Sequence, residues 1–181
     1  EKKYKSFLTD MEKIFIIDNK KEEKFLRQKT VDFDFAKFKK SEIRNLIKTM
    51  REIMKHANGV GLSANQIGLP YRFFIAQVPD SQGKLKFYAI ANPELTKIGK
   101  ETVTLEEGCL SVPETYGPTE RHYRVVLTGY DYNGKKIKIK AWGLLARVFQ
   151  HEVDHLNGSL FIDTAKALHK VAETKQTDEH S

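Results

Sequence analysis

The sequence predicts an α+β fold, in which a helix is followed by several antiparallel strands and then by a second helix. Apolar residues at helical spacing run through residues 43–54, and a second helical pattern covers residues 144–157. Strand-like stretches separated by turn signals lie between these two helices. Because the strands follow one another instead of alternating with helices, antiparallel sheets are expected.

The first helix is expected to begin at Ser41, a good N-cap residue, and to stop at residues 58–59, an Asn-Gly pair. Gly158 is expected to end the second helix. An Asn-Gly pair at residues 133–134 indicates a tight hairpin. The strands are expected in two pairs, residues 71–78 with 85–91 and residues 125–130 with 136–140.

Length and composition restrict the class of protein. A chain of 181 residues suits one domain, and 40% hydrophobic residues exclude intrinsic disorder. A single cysteine excludes a disulfide-stapled scaffold. No apolar run approaches the roughly 20 residues of a membrane helix, and no secretory signal follows the lysine-rich start. We expect a soluble, intracellular protein without a membrane partner.

Three segments are expected along the chain: an entry segment over residues 1–24, a single catalytic domain over residues 25–169 and a polar tail over residues 170–181. Met11 is a candidate initiator, which would make residues 1–10 an extension.

The formal net charge is +7, which favours anionic partners. The basic residues are dispersed, however, and no zinc-finger cysteine pairs or aromatic RNA-binding signature accompany them. We interpret the charge as solvated surface lysine and expect no specific nucleic-acid partner.

The residues His151-Glu152-Val153-Asp154-His155 form an HExxH sequence on the second helix. The i, i+4 spacing places both imidazoles on one face, where they can share a metal ion, and the glutamate lies close enough to serve a water molecule. Paired histidines on a helix are often ordinary surface or core residues. Here Leu144 and Val148 continue the same stripe, so the histidines should be buried and need a partner, which favours metal binding.

A third protein ligand is required. His155-Leu156-Asn157-Gly158 matches the metzincin extension, but Phe161 stands where a third histidine belongs. A thermolysin-like site would need a later glutamate, and Glu173 lies in a weakly apolar tail. Cys109 alone would more often be a small core residue, yet a thiolate is a strong ligand for such metals. Beside an incomplete HExxH site, Cys109 is the favoured third ligand.

A glycine-containing segment, Gly59-Val60-Gly61-Leu62-Ser63-Ala64-Asn65-Gln66, directly follows the first helix. Its glycines permit close approach to an extended ligand, and Gln66 offers an amide donor. By itself this pattern is typical of a helix end and turn, and it lacks the GK[ST] ending of a phosphate loop.

Taken together, GVGLSANQ, EGCLS and QHEVDH resemble the three signature motifs of the peptide deformylase family, in the family's order and spacing. The resemblance covers about residues 25–163. It implies antiparallel sheets packed around a central metal-binding HExxH helix, with an amphipathic helix nearer the N-terminus. It also implies a hydrolase that removes the formyl group from N-terminal formylmethionine and releases formate.

The resemblance assigns roles residue by residue. The implied metal ligands are Cys109, His151 and His155, with a water in the fourth position, and Glu152 is the implied general base. Gln66 and the backbone N–H of Leu110 would bind the oxyanion. Glu107 and Asp154 would support the site. The implied substrate-binding residues are Val60, Gly61, Leu105, Gly108, Leu144 and Val148.

The family resemblance also implies one divalent metal ion, physiologically Fe(II), although the donor set accepts Zn(II), Ni(II) or Co(II) as well. The implied partners are formylated nascent peptides, with the basic charge suited to a location near the ribosome. The implied compartment is the bacterial cytoplasm or an organelle.

Three departures from the family pattern stand in this chain. Ser63 replaces the first alanine of GxGxAAxQ, no Asp-Pro pair precedes residues 26–27, and Arg121-His122 stands where Arg-Pro is usual. Two other functions compete. A zinc peptidase would need the missing third histidine, and a structural metal site or a degenerate binding module would be expected to lose Glu152 or Gln66.

Overall fold

The computed structural model describes residues 13–171. The α-helices in this range are α1 (Lys20–Leu26), α2 (Lys40–His56) and α3 (Gly143–Leu156). The strands are β1 (Gly61–Ser63), β2 (Phe73–Pro79), β3 (Leu85–Lys97), β4 (Thr102–Cys109), β5 (Val112–His122), β6 (Arg124–Tyr130), β7 (Lys136–Trp142) and β8 (His169–Lys170). The α+β prediction is confirmed.

Two antiparallel sheets surround α3. One sheet has the order β1-β2-β3-β6-β7, and the other has the order β4-β5-β8. Strand β2 begins with four consecutive apolar residues, 73–76, because both faces of the sheet are covered there. Phe73 and Ile75 pack with the α2 side of the core, whereas Phe74 and Ala76 pack with the α3 side. The larger sheet is therefore covered on both faces at β2, and α3 is held between the two sheets.

The N-cap of helix α2 lies two residues earlier than the sequence predicts. Lys39, not Ser41, is the N-cap residue, and the Glu42 carboxylate accepts the Lys39 backbone N–H at 2.7 Å. A carboxylate three residues into the helix satisfies an exposed backbone donor, so the serine at position 41 is not needed for this purpose. The apolar stripe buries Ile43, Leu46, Met50 and Met54.

Both predicted hairpins are present, but the bounds of their strands differ from the predicted bounds. The Asn133-Gly134 pair lies inside a five-residue connection in which the Asp131 side chain accepts two backbone N–H groups, and Gly134 has φ of +78°. Strand β3 continues beyond the predicted end at Ala91, after an irregularity between Ala91 and Glu94.

The ends of the described range carry structure of their own. Helix α1 begins inside the segment assigned to the entry region, and its N-cap is Asn19. Lys170, assigned to the polar tail, pairs with Thr115 in the β5–β8 ladder. Met11, residues 1–10 and residues 172–181 lie outside the described range. Within residues 13–171, every helix is too short or too polar to cross a bilayer.

Candidate metal centre and catalytic cleft

Helix α3 supplies two of the candidate metal ligands. His151 and His155 lie one turn apart on the same face, and their Nε2 atoms are 3.2 Å apart. The helix ends at Leu156, and Gly158 follows with φ of +79°. A Cβ at Gly158 would lie 2.3 Å from the Arg27 carbonyl oxygen, so the helix end packs tightly against the chain after α1.

Cys109 completes the cluster from the three-stranded sheet. It ends β4, and Leu110-Ser111 forms the turn into β5. Its Sγ lies 3.1 Å from the Nε2 of His155, and the three ligand atoms all lie within 4.8 Å of one another. No other group of this kind is present within the described part of the chain.

The donor set fits a divalent transition metal. One thiolate and two imidazole nitrogens are typical of catalytic sites that keep one position open. The Nδ1 of His151 lies 2.5 Å from a Glu107 carboxylate oxygen, the arrangement that orients metal-bound histidines. The Nδ1 of His155 is buried without a partner among the described residues. Burial lowers the pKa of His155 well below its usual value, which favours the neutral form that ligates a metal.

The Glu107 carboxylate is the centre of a buried ionic network. It accepts hydrogen bonds from Arg121 at 2.7 and 3.1 Å and from Arg147 at 3.0 Å. Arg121 also pairs with Asp154. Burial raises the pKa of Glu107, but the His151 and Arg121 hydrogen bonds outweigh it and lower the value to about 2. The network therefore holds an ionised carboxylate against His151.

Glu152 lies on the adjacent face of α3 and is 3% exposed. Its Oε2 accepts a hydrogen bond from the Ser63 hydroxyl at 2.7 Å. A Cβ added to Gly61 would lie 2.3 Å from the Glu152 Oε1, so any larger residue would force the carboxylate out of this position. Burial raises the pKa of Glu152 to about 7, although the neighbouring His151 and the Ser63 hydrogen bond act in the opposite direction. Such a carboxyl group can both accept and release a proton near neutral pH.

Gln66 is fixed next to the cluster by two hydrogen bonds. Its Oε1 accepts the Ser63 backbone N–H at 2.9 Å, and its Nε2 donates to the Ser111 hydroxyl at 3.0 Å. The same Nε2 lies 3.8 Å from the Cys109 Sγ. An amide donor is therefore presented beside the candidate metal centre.

A cavity of about 700 Å³ opens onto these groups. Its lining includes Cys109, His151, Glu152, Gln66 and Leu110, together with the predicted substrate-binding residues Val60, Gly61, Gly108, Leu144 and Val148.

Two predicted substrate-binding residues, Leu105 and Leu144, are at least half exposed. Leu105 is 52% exposed and is not part of this lining. Leu144 is half exposed although the helical stripe predicted burial, because its end of α3 faces the cavity mouth rather than the core.

Sequence reasoning missed the two arginines that hold Glu107. Arg121 was noted only for the residue that follows it, and Arg147 was not singled out. A signal exists for Arg147, since it interrupts an apolar helical segment about one turn before His151. Its side chain is buried and also donates to the backbone carbonyls of Val103 and Thr119.

A family model described as polypeptide deformylase matches residues 11–171. A peptide deformylase of Symbiobacterium thermophilum is 40% identical over 141 residues, which cover 78% of this chain and 64% of that protein. Peptide deformylase 1A, chloroplastic, of Solanum lycopersicum is 38% identical over 76% of this chain and 55% of its own length. The chain thus spans less than two thirds of these two curated relatives.

The fold is similar to a solved structure of a class I type b peptide deformylase from Acinetobacter baumannii with Met-Ala-Ser bound. The TM-score is 0.72 with 30% sequence identity, over 77% of this chain and 91% of that one.

Proposed function

The chain belongs to the polypeptide deformylase family, and from this premise we propose that it hydrolyses the formyl amide of N-terminal formylmethionine on nascent peptides. The observation that carries the proposal is the cluster of Cys109, His151 and His155, of which Cys109 and His151 line the same cavity as Glu152 and Gln66. A structural metal site would need neither a buried carboxylate nor a fixed amide donor next to its ligands.

The metal would be held by Cys109, His151 and His155. When bound, a divalent ion supplies Lewis acidity and lowers the pKa of water. We propose Fe(II) as the physiological ion, on the family resemblance, since the donor set by itself accepts several metals. Metal analysis of protein purified anaerobically tests this choice.

The residues of the chain divide the chemistry between them. Glu152 takes a proton from water as the water oxygen attacks the formyl carbon. The carbonyl oxygen gains negative charge and is stabilised by the Gln66 Nε2 and the Leu110 backbone N–H. When the C–N bond breaks, Glu152 passes the proton to the leaving amine, so the products are formate and a free N-terminus. The buried Glu107 network holds His151 in place throughout.

The peptide would bind along the edge of the larger sheet. Strand β1 is an edge strand, and Gly61 at its start lines the cavity, so an extended peptide can add beside residues 60–61. Val148, which is 5% exposed, and Leu144 at the mouth offer apolar surface for the methionine side chain. Burial of such a side chain contributes about 1.5–3 kcal/mol.

The small acyl group explains the expected selectivity. A formyl group carries only hydrogen on its carbonyl carbon, and we propose that the cavity wall at Gly61, Gly108 and Leu110 excludes larger acyl groups by steric overlap. We further propose the cytoplasm of a bacterium, or else an organelle, as the compartment, and a location near the ribosome where formylated chains emerge.

The decisive experiment measures formate release from formyl-Met-Ala-Ser by the metal-loaded chain. Acetyl-Met-Ala-Ser and an internal peptide bond serve as controls and should be almost inert, while formyl-Gly-Ala-Ser should react well below the methionine peptide. Comparable kcat/KM on the acetyl peptide would refute the proposal in favour of a general peptidase.

A further inference from the structure

Ser63 stands where the resemblance predicts alanine, and its side chain lies at the candidate general base. It is fully buried at the end of β1. Its Oγ lies 2.7 Å from the Glu152 Oε2 and 3.0 Å from the Glu152 backbone carbonyl oxygen. A hydroxyl has one proton to donate, and the shorter contact to a charged acceptor is the stronger one.

The Glu152 carboxylate depends on this contact for its orientation. Within residues 13–171, Ser63 is the one hydrogen-bond donor recorded for its side-chain oxygens. The other oxygen, Oε1, lies against Gly61, where a single added carbon would be 2.3 Å away. Gly61 lines the cavity, so Oε1 lies next to a residue of the cavity wall while Oε2 is bound by Ser63.

We propose that Ser63 is a positioning residue for Glu152. Its hydroxyl donates to Oε2 and thereby leaves Oε1 as the oxygen that takes the proton of the attacking water. The Ser63 backbone N–H at the same time fixes Gln66, so one residue aligns both the base and the amide donor. This inference rests on the proposed deformylase function. The hydrogen bond from the side chain at position 63 to Glu152 can form only in chains that have a hydroxyl there.

The first test is Ser63→Ala, which restores the residue usual in the family motif and should therefore fold. We expect kcat on formyl-Met-Ala-Ser to fall about tenfold, as for the loss of one hydrogen bond to a charged group. KM should stay within about twofold and the metal content should be unchanged, because neither the substrate contacts nor the ligands are altered. Ser63→Thr keeps the hydroxyl and should recover most of kcat.

A matched control removes a different hydroxyl that also bonds to α3. Thr30 donates from Oγ1 to the Leu156 carbonyl oxygen at 2.8 Å and does not contact Glu152. Thr30→Val should leave kcat unchanged. Thermal unfolding of all variants shows whether any loss of activity follows a loss of stability.

A double-mutant cycle with Glu152→Ala decides whether Ser63 acts through the carboxylate. In that background, Ser63→Ala should cause no further loss. An equal loss in both backgrounds, a loss matched by Thr30→Val, or an unchanged kcat in Ser63→Ala would overturn the inference. If the unaltered chain released no formate at all, the proposed function itself would fail, which is a distinguishable result.

Discussion

Replacing Glu107 with glutamine tests the ionic network behind the candidate metal centre. The carboxylate accepts two hydrogen bonds from Arg121, one from Arg147 and one from His151. The side chains of both arginines are at most 10% exposed. Glutamine keeps one oxygen, but its NH₂ group faces a guanidinium donor and cannot accept from it. Two buried cations therefore lose their shared counter-charge.

The expected cost follows from that burial. Breaking one side of a buried ion pair costs about 3–5 kcal/mol, and the lower figure applies because Arg121 keeps Asp154. In a domain of this size, 1 kcal/mol shifts Tm by about 2–4 °C, so Tm should fall by about 6–12 °C. Thermal unfolding by circular dichroism on chelator-treated protein measures this without any contribution from the metal.

The matched control is Glu120→Gln on the neighbouring strand. Glu120 lies 3.8 Å from Lys166, and both side chains are more than half exposed. An exposed pair contributes about 0–1 kcal/mol, so this variant should lower Tm by less than about 4 °C. If Glu107→Gln unfolded at the same temperature as the control, the network would not stabilise the fold and the reasoning from burial would be wrong.

Four further variants test the site itself. Cys109→Ala should lose most of the metal and the activity, measured by metal analysis and formate release; retention of both would remove Cys109 from the ligand set. Glu152→Gln should keep the metal while kcat falls about 10²–10⁴-fold, the range for a general base. Loss of metal in that variant would instead make Glu152 a ligand. Gln66→Ala should lower kcat by about 10²–10³-fold with the metal retained, as for one oxyanion donor. Gly61→Ala places a carbon 2.3 Å from the Glu152 Oε1 and should lower kcat/KM at least about tenfold. Unchanged kinetics in Gly61→Ala would mean that the carboxylate does not lie against this glycine.

The candidate ligands and the candidate base could be proposed from sequence because few residue types can perform their chemistry, and the structure brings the three candidate ligands together. The histidine spacing requires a helix, and the observed α3 differs from the predicted range by one residue at each end. The incomplete HExxH site then directed attention to the single cysteine. None of these steps needed knowledge of the tertiary structure.

The two arginines of the supporting network could not be identified in the same way, because they are far apart in sequence and no local pattern connects them to Glu107. Glu107, Arg121 and Arg147 lie on β4, β5 and α3, and only the packing of the small sheet against the helix brings them together. The contact between the Ser63 hydroxyl and Glu152 could not be predicted from the sequence either, since it spans 89 positions.

Strands β4 and β5 were missed for a related reason. Adjacent glutamates at residues 106–107 break the apolar alternation of β4, and β5 contains Pro113 and Pro118. These strands are specified by their pairing with each other rather than by local propensity. Strand β8 has only two residues and carries no periodic signal at all.

That short last strand has a consequence for the order in which the protein is made. Tyr116 forms part of the cavity wall, and its backbone pairs with His169 while its ring stacks on the imidazole. The Val171 N–H then donates to the Glu114 carbonyl oxygen. The candidate metal ligands Cys109, His151 and His155 all precede these residues in the chain. The cavity wall at Tyr116 therefore gains its β8 partner only after all three candidate ligands have been synthesised.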